Sequence, residues 1–214
     1  MVDPQPYLEK VTGFVTRRSE TNGLALLLIQ HPYAGVQIPA GTVEAIETPE
    51  QAVLREVMEE TGLEDHTIVQ KIGWRDELPP GATHVVFNPT KVYARPNTES
   101  FDWARLPRGA AVRLERRSKD FAQITYAEGD HYPDPQFTTF QITGWVPVTT
   151  LASANRRHFF HLSSGAETPA QWDHFADNHT FRVFWVSFLD LPEIVHPQHA
   201  WLHYVLSDLR YHFE

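Results

Sequence analysis

The sequence contains no cysteine and only two methionines. Disulfides, thiolate metal sites and cysteine nucleophiles are therefore excluded, and a reducing compartment is the expected setting. No run of about 18 apolar residues occurs, so no helical membrane span is expected. The opening Met1-Val2-Asp3-Pro4-Gln5-Pro6 has neither the basic nor the apolar part of a secretory leader, which makes the cytoplasm the expected location. Positive charge is scarce: 18 Lys and Arg stand against 27 Asp and Glu, a formal net charge of −9. Such a balance argues against broad binding to nucleic acid or to an anionic membrane. An anionic substrate would need metal ions or a local basic patch to be held.

What is present is enough for a folded core, since 42% of the 214 residues are hydrophobic. Leu8 to Arg18 and Leu24 to Gln30 are rich in β-favouring residues, and the Asn22-Gly23 pair between them predicts a hairpin. Further strand-like runs occur at Thr67 to Trp74, Thr83 to Ala94, Phe137 to Val148 and Phe181 to Leu189, and Ala200 to Tyr211 has the length and apolar stripe of a helix. Residues 95 to 135 turn polar, which suits a long excursion. A single domain over 1–214, with an insertion at about 95–135, is the expected organisation.

The strongest local signal is a helix from about Pro49 to Thr61. Thr48 suits its N-cap, Pro49 its first position, Gln51 the capping box and Gly62 its end. Spacings of three and four residues bring Glu56, Glu59 and Glu60 to one face, with Leu54, Val57, Met58 and Thr61 expected on the other, towards a sheet. A Glu-rich helix face is ordinarily just solvated. Three crowded carboxylates also repel one another and suit hard divalent cations with oxygen ligands, above all Mg²⁺.

The surrounding spacing favours the second reading. Gly41, Glu47, Arg55, Glu56, Glu59, Glu60 and Gly62 stand at fixed intervals, with Val57 and Leu63 aliphatic. Seven such fixed positions coincide by chance on the order of 10⁻⁸ per starting point. The stretch Gly41 to Leu63 resembles, without departure at a defined position, the signature of the Nudix hydrolase family. Gln37-Ile38-Pro39-Ala40 also resembles the approach to that signature, although Val36 stands where an aromatic residue is common. Gly144-Trp145-Val146-Pro147-Val148 and Phe184-Trp185-Val186 are both similar to the family's late strand.

The resemblance implies an α+β fold, a mixed β-sheet sandwiched between α-helices. It further implies Glu56 and Glu60 as the main Mg²⁺ ligands, with Mn²⁺ as a substitute, and Glu59 as a further ligand or the group that orients or deprotonates water. The Gly41 carbonyl is an additional ligand, Arg55 serves the site structurally or electrostatically by pairing with a nearby carboxylate such as Glu47, and Gly62 supports the site by ending the helix. The activity implied is hydrolysis of the phosphoanhydride (pyrophosphate) bond of a nucleoside diphosphate derivative by water attacking phosphorus. The alternative is a non-catalytic nucleotide-binding protein on the same fold. The implied partner is a small nucleotide-like molecule, with a homodimer as an allowed assembly.

Other residues are weaker candidates. His158, His161 and His174 are metal-capable, and His158-x-x-His161 invites Zn²⁺, but most histidines are satisfied or exposed. Trp145, Trp172, Trp185 and Trp201 suit base stacking, though large aromatics in such patterns usually fill cores. Arg113, Arg116 and Arg117 form the best basic group. Glu115, Glu128 and Asp130 are candidates for a carboxylate supplied to the metal from outside the helix.

Overall fold

β-branched and aromatic residues recur in alternating runs along the chain, and strands follow from them. A computed structural model describes residues 3–19, 23–131, 135–165, 167–176 and 178–211. The strands are β1 (Gln5–Ser19), β2 (Gly23–His31), β3 (Gly35–Gln37), β4 (Ala40–Thr42), β5 (Thr67–Glu77), β6 (His84–Val86), β7 (Thr90–Tyr93), β8 (Asp102–Leu106), β9 (Ala111–Ser118), β10 (Phe121–Gly129), β11 (Thr138–Pro147), β12 (Leu151–Ser163), β13 (Gln171–Ala176) and β14 (His179–Ser187). Among the described residues there are two α-helices, α1 (Pro49–Thr61) and α2 (Gln198–Tyr211). The fold is thus α+β, dominated by sheet.

The chain divides into two compact units, Met1–Glu9 with Arg75–Arg156, and Lys10–Trp74 with Arg157–Glu214. The second unit carries both helices. Its strands run in the order β13-β14-β2-β1-β12, with β3 on β2, β4 on β1 and β5 on β12. The expected hairpin forms: β1 and β2 pair antiparallel with Thr16 opposite Leu26 and Ser19 opposite Gly23. The expected turn itself, with Asn22, lies outside the described residues. Strand alternation sends Val11, Val15, Leu27 and Ile29 into one cluster with Ala52, Val53 and Val57 of α1. Phe14, Leu26 and Leu28 go into another with Trp201, Leu202, Val205 and Leu209 of α2.

The first unit is built of strands ordered β6-β9-β10-β11-β7-β8 around Val92, Val112, Ala122, Ile124, Val146 and Val148. The single strand expected over Thr83 to Ala94 is two, β6 and β7. Pro89 has no N–H for a ladder, and the Phe87 and Asn88 amides turn to the Thr150 carbonyl at 2.7 and 3.3 Å. The polar stretch 95–135 contains β8, β9 and β10. Its charges are spaced along β9 while Val112 and Leu114 on the same strand pack inward, so a polar composition concealed a strand period.

Candidate active site

Helix α1 forms as its ends dictate. The Gln51 amide donates to Thr48 Oγ1 at 3.2 Å, and the Thr48 amide donates to Gln51 Oε1 at 2.9 Å, completing the capping box. Gly62 adopts φ 69°, the left-handed region, and its amide closes on the Met58 carbonyl at 2.8 Å. The face turned inward differs from expectation in one place. Ala52, Val53, Val57 and Thr61 are buried and Leu54 is half-buried, whereas Met58 is 45% exposed. The buried stripe runs through Val53, Val57 and Thr61, four residues apart, which rotates Met58 towards solvent.

That orientation delivers the carboxylates to the segment of β4. The Ala40 amide donates to Glu60 Oε2 at 2.9 Å, and the Thr42 amide donates to Glu56 Oε1 at 3.2 Å. Two carboxylates of the helix are thereby anchored on either side of Gly41. A Cβ on Gly41 would lie 1.8 Å from Glu56 Cδ, so only glycine admits this approach.

Arg55 organises the remaining charge. Its Nε and Nη2 donate to the two oxygens of Glu47 at 2.8 and 2.9 Å, a bidentate pair. Nη1 reaches Glu59 Oε2 at 2.9 Å and Glu56 Oε1 at 3.0 Å, and Nη2 also donates to the Thr42 carbonyl at 3.2 Å. The hydrogen bonds from Arg55 hold the Glu47 carboxyl below the usual carboxylate range. Conversely, the carboxylates, Glu47 first, hold the Arg55 guanidinium above its ordinary value. Glu56 goes the other way: burial pushes its carboxyl up, and Glu59 adds to that, against the lowering pull of Arg55 and the Thr42 amide. A half-buried carboxylate raised in this way is a group whose charge is incompletely compensated by the protein.

The C-terminal end of α1 is held by β13. Trp172 Nε1 donates to the Thr61 carbonyl at 2.8 Å and the His174 ring donates to the Glu59 carbonyl at 2.9 Å, giving partners to carbonyls that a helix end leaves unsatisfied. Trp172, a stacking candidate by sequence, and His174, a metal candidate, thus both serve the end of the helix. The Ala40 and Thr42 amides carried no side-chain signal at all, although their position flanking Gly41 marks them in retrospect.

The donor chemistry suits a hard divalent ion, since Glu56, Glu60, Glu59 and the neighbouring carbonyls supply only oxygen. Among the described residues no group of three or more His, Asp or Glu side chains is gathered closely enough to hold a metal as the side chains stand. Glu59 is engaged by Arg55, so it would join Glu56 and Glu60 only by turning from that partner.

The weaker candidates fall elsewhere. His158 and His161 are three residues apart on β12, which alternation sends to opposite faces, so the Zn²⁺ pair does not form; His161 Nε2 instead meets Thr16 Oγ1 at 2.8 Å. Trp145 and Trp201 are buried in core, while Trp185 donates to Thr168 Oγ1 at 2.8 Å beneath the Arg17 guanidinium. Arg113, Arg116 and Arg117 do not act as one patch, for Arg113 pairs with Glu115, Arg116 donates to Gln123 and Arg117 reaches Asp3. Glu128 accepts from the Tyr126 hydroxyl at 2.6 Å, and Asp130 accepts from the Gln136 amide at 2.8 Å. Glu115, Glu128 and Asp130 all belong to the unit without the helices.

Of the two segments similar to a late strand, Phe184-Trp185-Val186 lies in β14, within the unit that bears α1, and 144–148 lies in the other unit. Residues 7–208 match the family model described as NUDIX domain. No curated protein matches the chain.

Proposed function

The chain belongs to the Nudix family of pyrophosphohydrolases, which act on acid anhydrides, and from that premise we propose that it hydrolyses the phosphoanhydride bond of a nucleoside diphosphate derivative in a Mg²⁺-dependent reaction. The observation that carries the reading is the pair of carboxylates, Glu56 and Glu60, tied to the backbone on either side of Gly41. In this reading Glu56, Glu60 and the Gly41 carbonyl hold the ion. A bound divalent ion there supplies positive charge against the phosphoryl oxygens and a water of lowered pKa.

The chain's own residues do the rest. Arg55 fixes Glu47 and steadies Glu56 and Glu59, so the negative cluster keeps its shape before substrate arrives. Glu59, the most exposed of the carboxylates paired with Arg55 at 51% of its side chain, orients the attacking water and accepts its proton. The water oxygen bonds to phosphorus, the P–O bond of the anhydride breaks, and the electron pair leaves with the departing phosphate. Gly62 and β13 hold the end of the helix that carries these groups.

Two features support the wider reading of 1–214 as one Nudix-like domain in which the region around 95–135 is an excursion. The family match runs over 7–208, across both units. Alternate residues of β1 and β2 cluster with α1 and with α2, as a sheet between helices requires. No helix among the described residues is long and apolar enough to cross a membrane. The test of function is release of a nucleoside monophosphate or phosphate from dinucleotides, nucleotide sugars and triphosphates with Mg²⁺ or Mn²⁺. Turnover of at least one is expected, and binding without turnover across the whole set contradicts the proposal.

A further inference from the structure

Just past the end of α1, the strands gather a cluster of rings in which Phe181 belongs to the core while His31, Tyr33 and His179 do not. His174, whose ring caps the Glu59 carbonyl, lies opposite Phe181, and Ala176 lies opposite His179. Phe181 and His179 stand two residue steps apart on the strand, about 7 Å, and alternation keeps both side chains on the face that packs against α1. On the other side of β14, the register that places Arg182 opposite Gln30 brings His31 beside Phe181. The His31 ring lies 5.0 Å from that of His179 and 5.4 Å from that of Phe181. Tyr33 completes the group, 6.1 Å from His31 and 5.9 Å from His179.

Three properties of this cluster point to a ligand. Tyr33 is 85% exposed, so its ring is presented outward and not packed away. Its turn is nevertheless fixed, because the Tyr33 and Ala34 amides both donate to His31 Nδ1 at 3.1 Å. An imidazole accepting at Nδ1 carries its proton on Nε2, so His31 offers a donor edge. The His179 ring makes no hydrogen bond among the described residues, which leaves its nitrogens for another partner. A ring face with polar edges beside it suits a planar heteroaromatic group.

We propose that Tyr33, His179 and His31 form the subsite for the nucleobase of the substrate, Tyr33 and His179 touching the base and His31 positioning Tyr33. The inference rests on the hydrolase reading above. The cluster stands two strand residues from His174, and His174 touches the residue that carries the Glu59 carboxylate. A nucleotide lying along that path places its base on the rings and its phosphates at the end of the helix.

Two measurements separate this inference from the reading it rests on. Affinities for AMP, GMP, CMP and UMP are measured by calorimetry in Mg²⁺ for wild type, Tyr33→Ala, Tyr33→Phe and His179→Ala, with inorganic pyrophosphate as a base-free control. For the best-bound monophosphate, Tyr33→Ala and His179→Ala are expected to raise Kd about tenfold, within the range known for loss of one stacking ring. Tyr33→Phe keeps the ring and is expected to keep the affinity, and pyrophosphate affinity is expected to stay the same throughout. Unchanged Kd in Tyr33→Ala, an equal loss in Tyr33→Phe, equal weakening of pyrophosphate, or no monophosphate binding by wild type overturns the subsite. Turnover is scored separately on nucleoside diphosphate derivatives, where KM is expected to rise in Tyr33→Ala with kcat unchanged. Ring-dependent binding without any turnover leaves the subsite and removes the hydrolase reading; turnover indifferent to Tyr33 and His179 does the reverse.

Discussion

At the scale of single residues, Arg55 and the amides of Ala40 and Thr42 hold the carboxylates of α1 in place without fully neutralising Glu56. Glu56→Gln and Glu60→Gln keep the size of the side chain and one oxygen for the Thr42 and Ala40 amides, but lose the charge that the proposed metal site requires. Both are expected to remove most turnover while the fold persists. Gly41→Ala is expected to do the same by a different route, since its Cβ would occupy the place of the Glu56 carboxylate. The two shifted carboxyls have opposite linkage to pH. Glu47 is lowered, so its stabilising pair with Arg55 is present above the ordinary carboxylate pKa of about 4.3 and is lost as pH falls through its lower folded value. Glu56 is raised, so its contribution is present below that ordinary value and is lost as pH rises through its higher folded value. Glu47→Gln is therefore expected to lower stability at neutral pH and to flatten the acid limb of a Tm profile. Glu56→Gln is expected to hold or raise Tm at neutral pH in metal-free buffer, and a fall there contradicts the incomplete compensation of that carboxylate.

At the scale of elements, α1 was legible in the sequence nearly in full. Thr48, Pro49, Gln51 and Gly62 each act through local backbone chemistry, which needs no knowledge of the rest of the chain. Removing the cap by Thr48→Ala is expected to cost about 1 kcal/mol, read as a lower unfolding midpoint. Which side of the helix is buried was less legible. Met58 is as apolar as Val53, and the choice between them depends on where the sheet lies, a tertiary fact. Val57→Ala is accordingly expected to cost about 2 kcal/mol and Met58→Ala within about 0.5 kcal/mol, by denaturant unfolding of each. Equal losses at the two positions contradict the rotation of the helix described here. Strands β12 and β13 were not legible, because Arg156, Arg157 and His158 interrupt the apolar pattern of one, and Asp173 and His174 that of the other. Those polar residues have burial or a partner only in the folded chain: Arg157 donates to the Val11 carbonyl at 3.2 Å, and His174 to that of Glu59.

At the scale of the whole molecule, the acidic balance and the site make one consistent picture. In the proposed reaction, cations offset the repulsion between a chain of net charge −9 and a phosphate substrate. Mg²⁺ at millimolar concentration is expected to raise the wild-type Tm in proportion to occupancy, with Glu56→Gln and Glu60→Gln showing a smaller rise. The family was legible because seven chemically constrained residues sit within a short span from Gly41 to Gly62. The proposed base subsite was not, because the rings of Tyr33, His31 and His179 meet only through strand pairing and have no spacing of their own in the sequence. The central claim is that Glu56 and Glu60 serve hydrolysis of a nucleoside diphosphate derivative. Its most direct measurement follows phosphorus by ³¹P NMR in a mixture of dinucleotides and nucleotide sugars with Mg²⁺, for wild type, Glu56→Gln and Glu60→Gln. New monophosphate signals are expected from wild type and at most a small fraction of that rate from each variant; wild-type rates in the two purified variants contradict the claim.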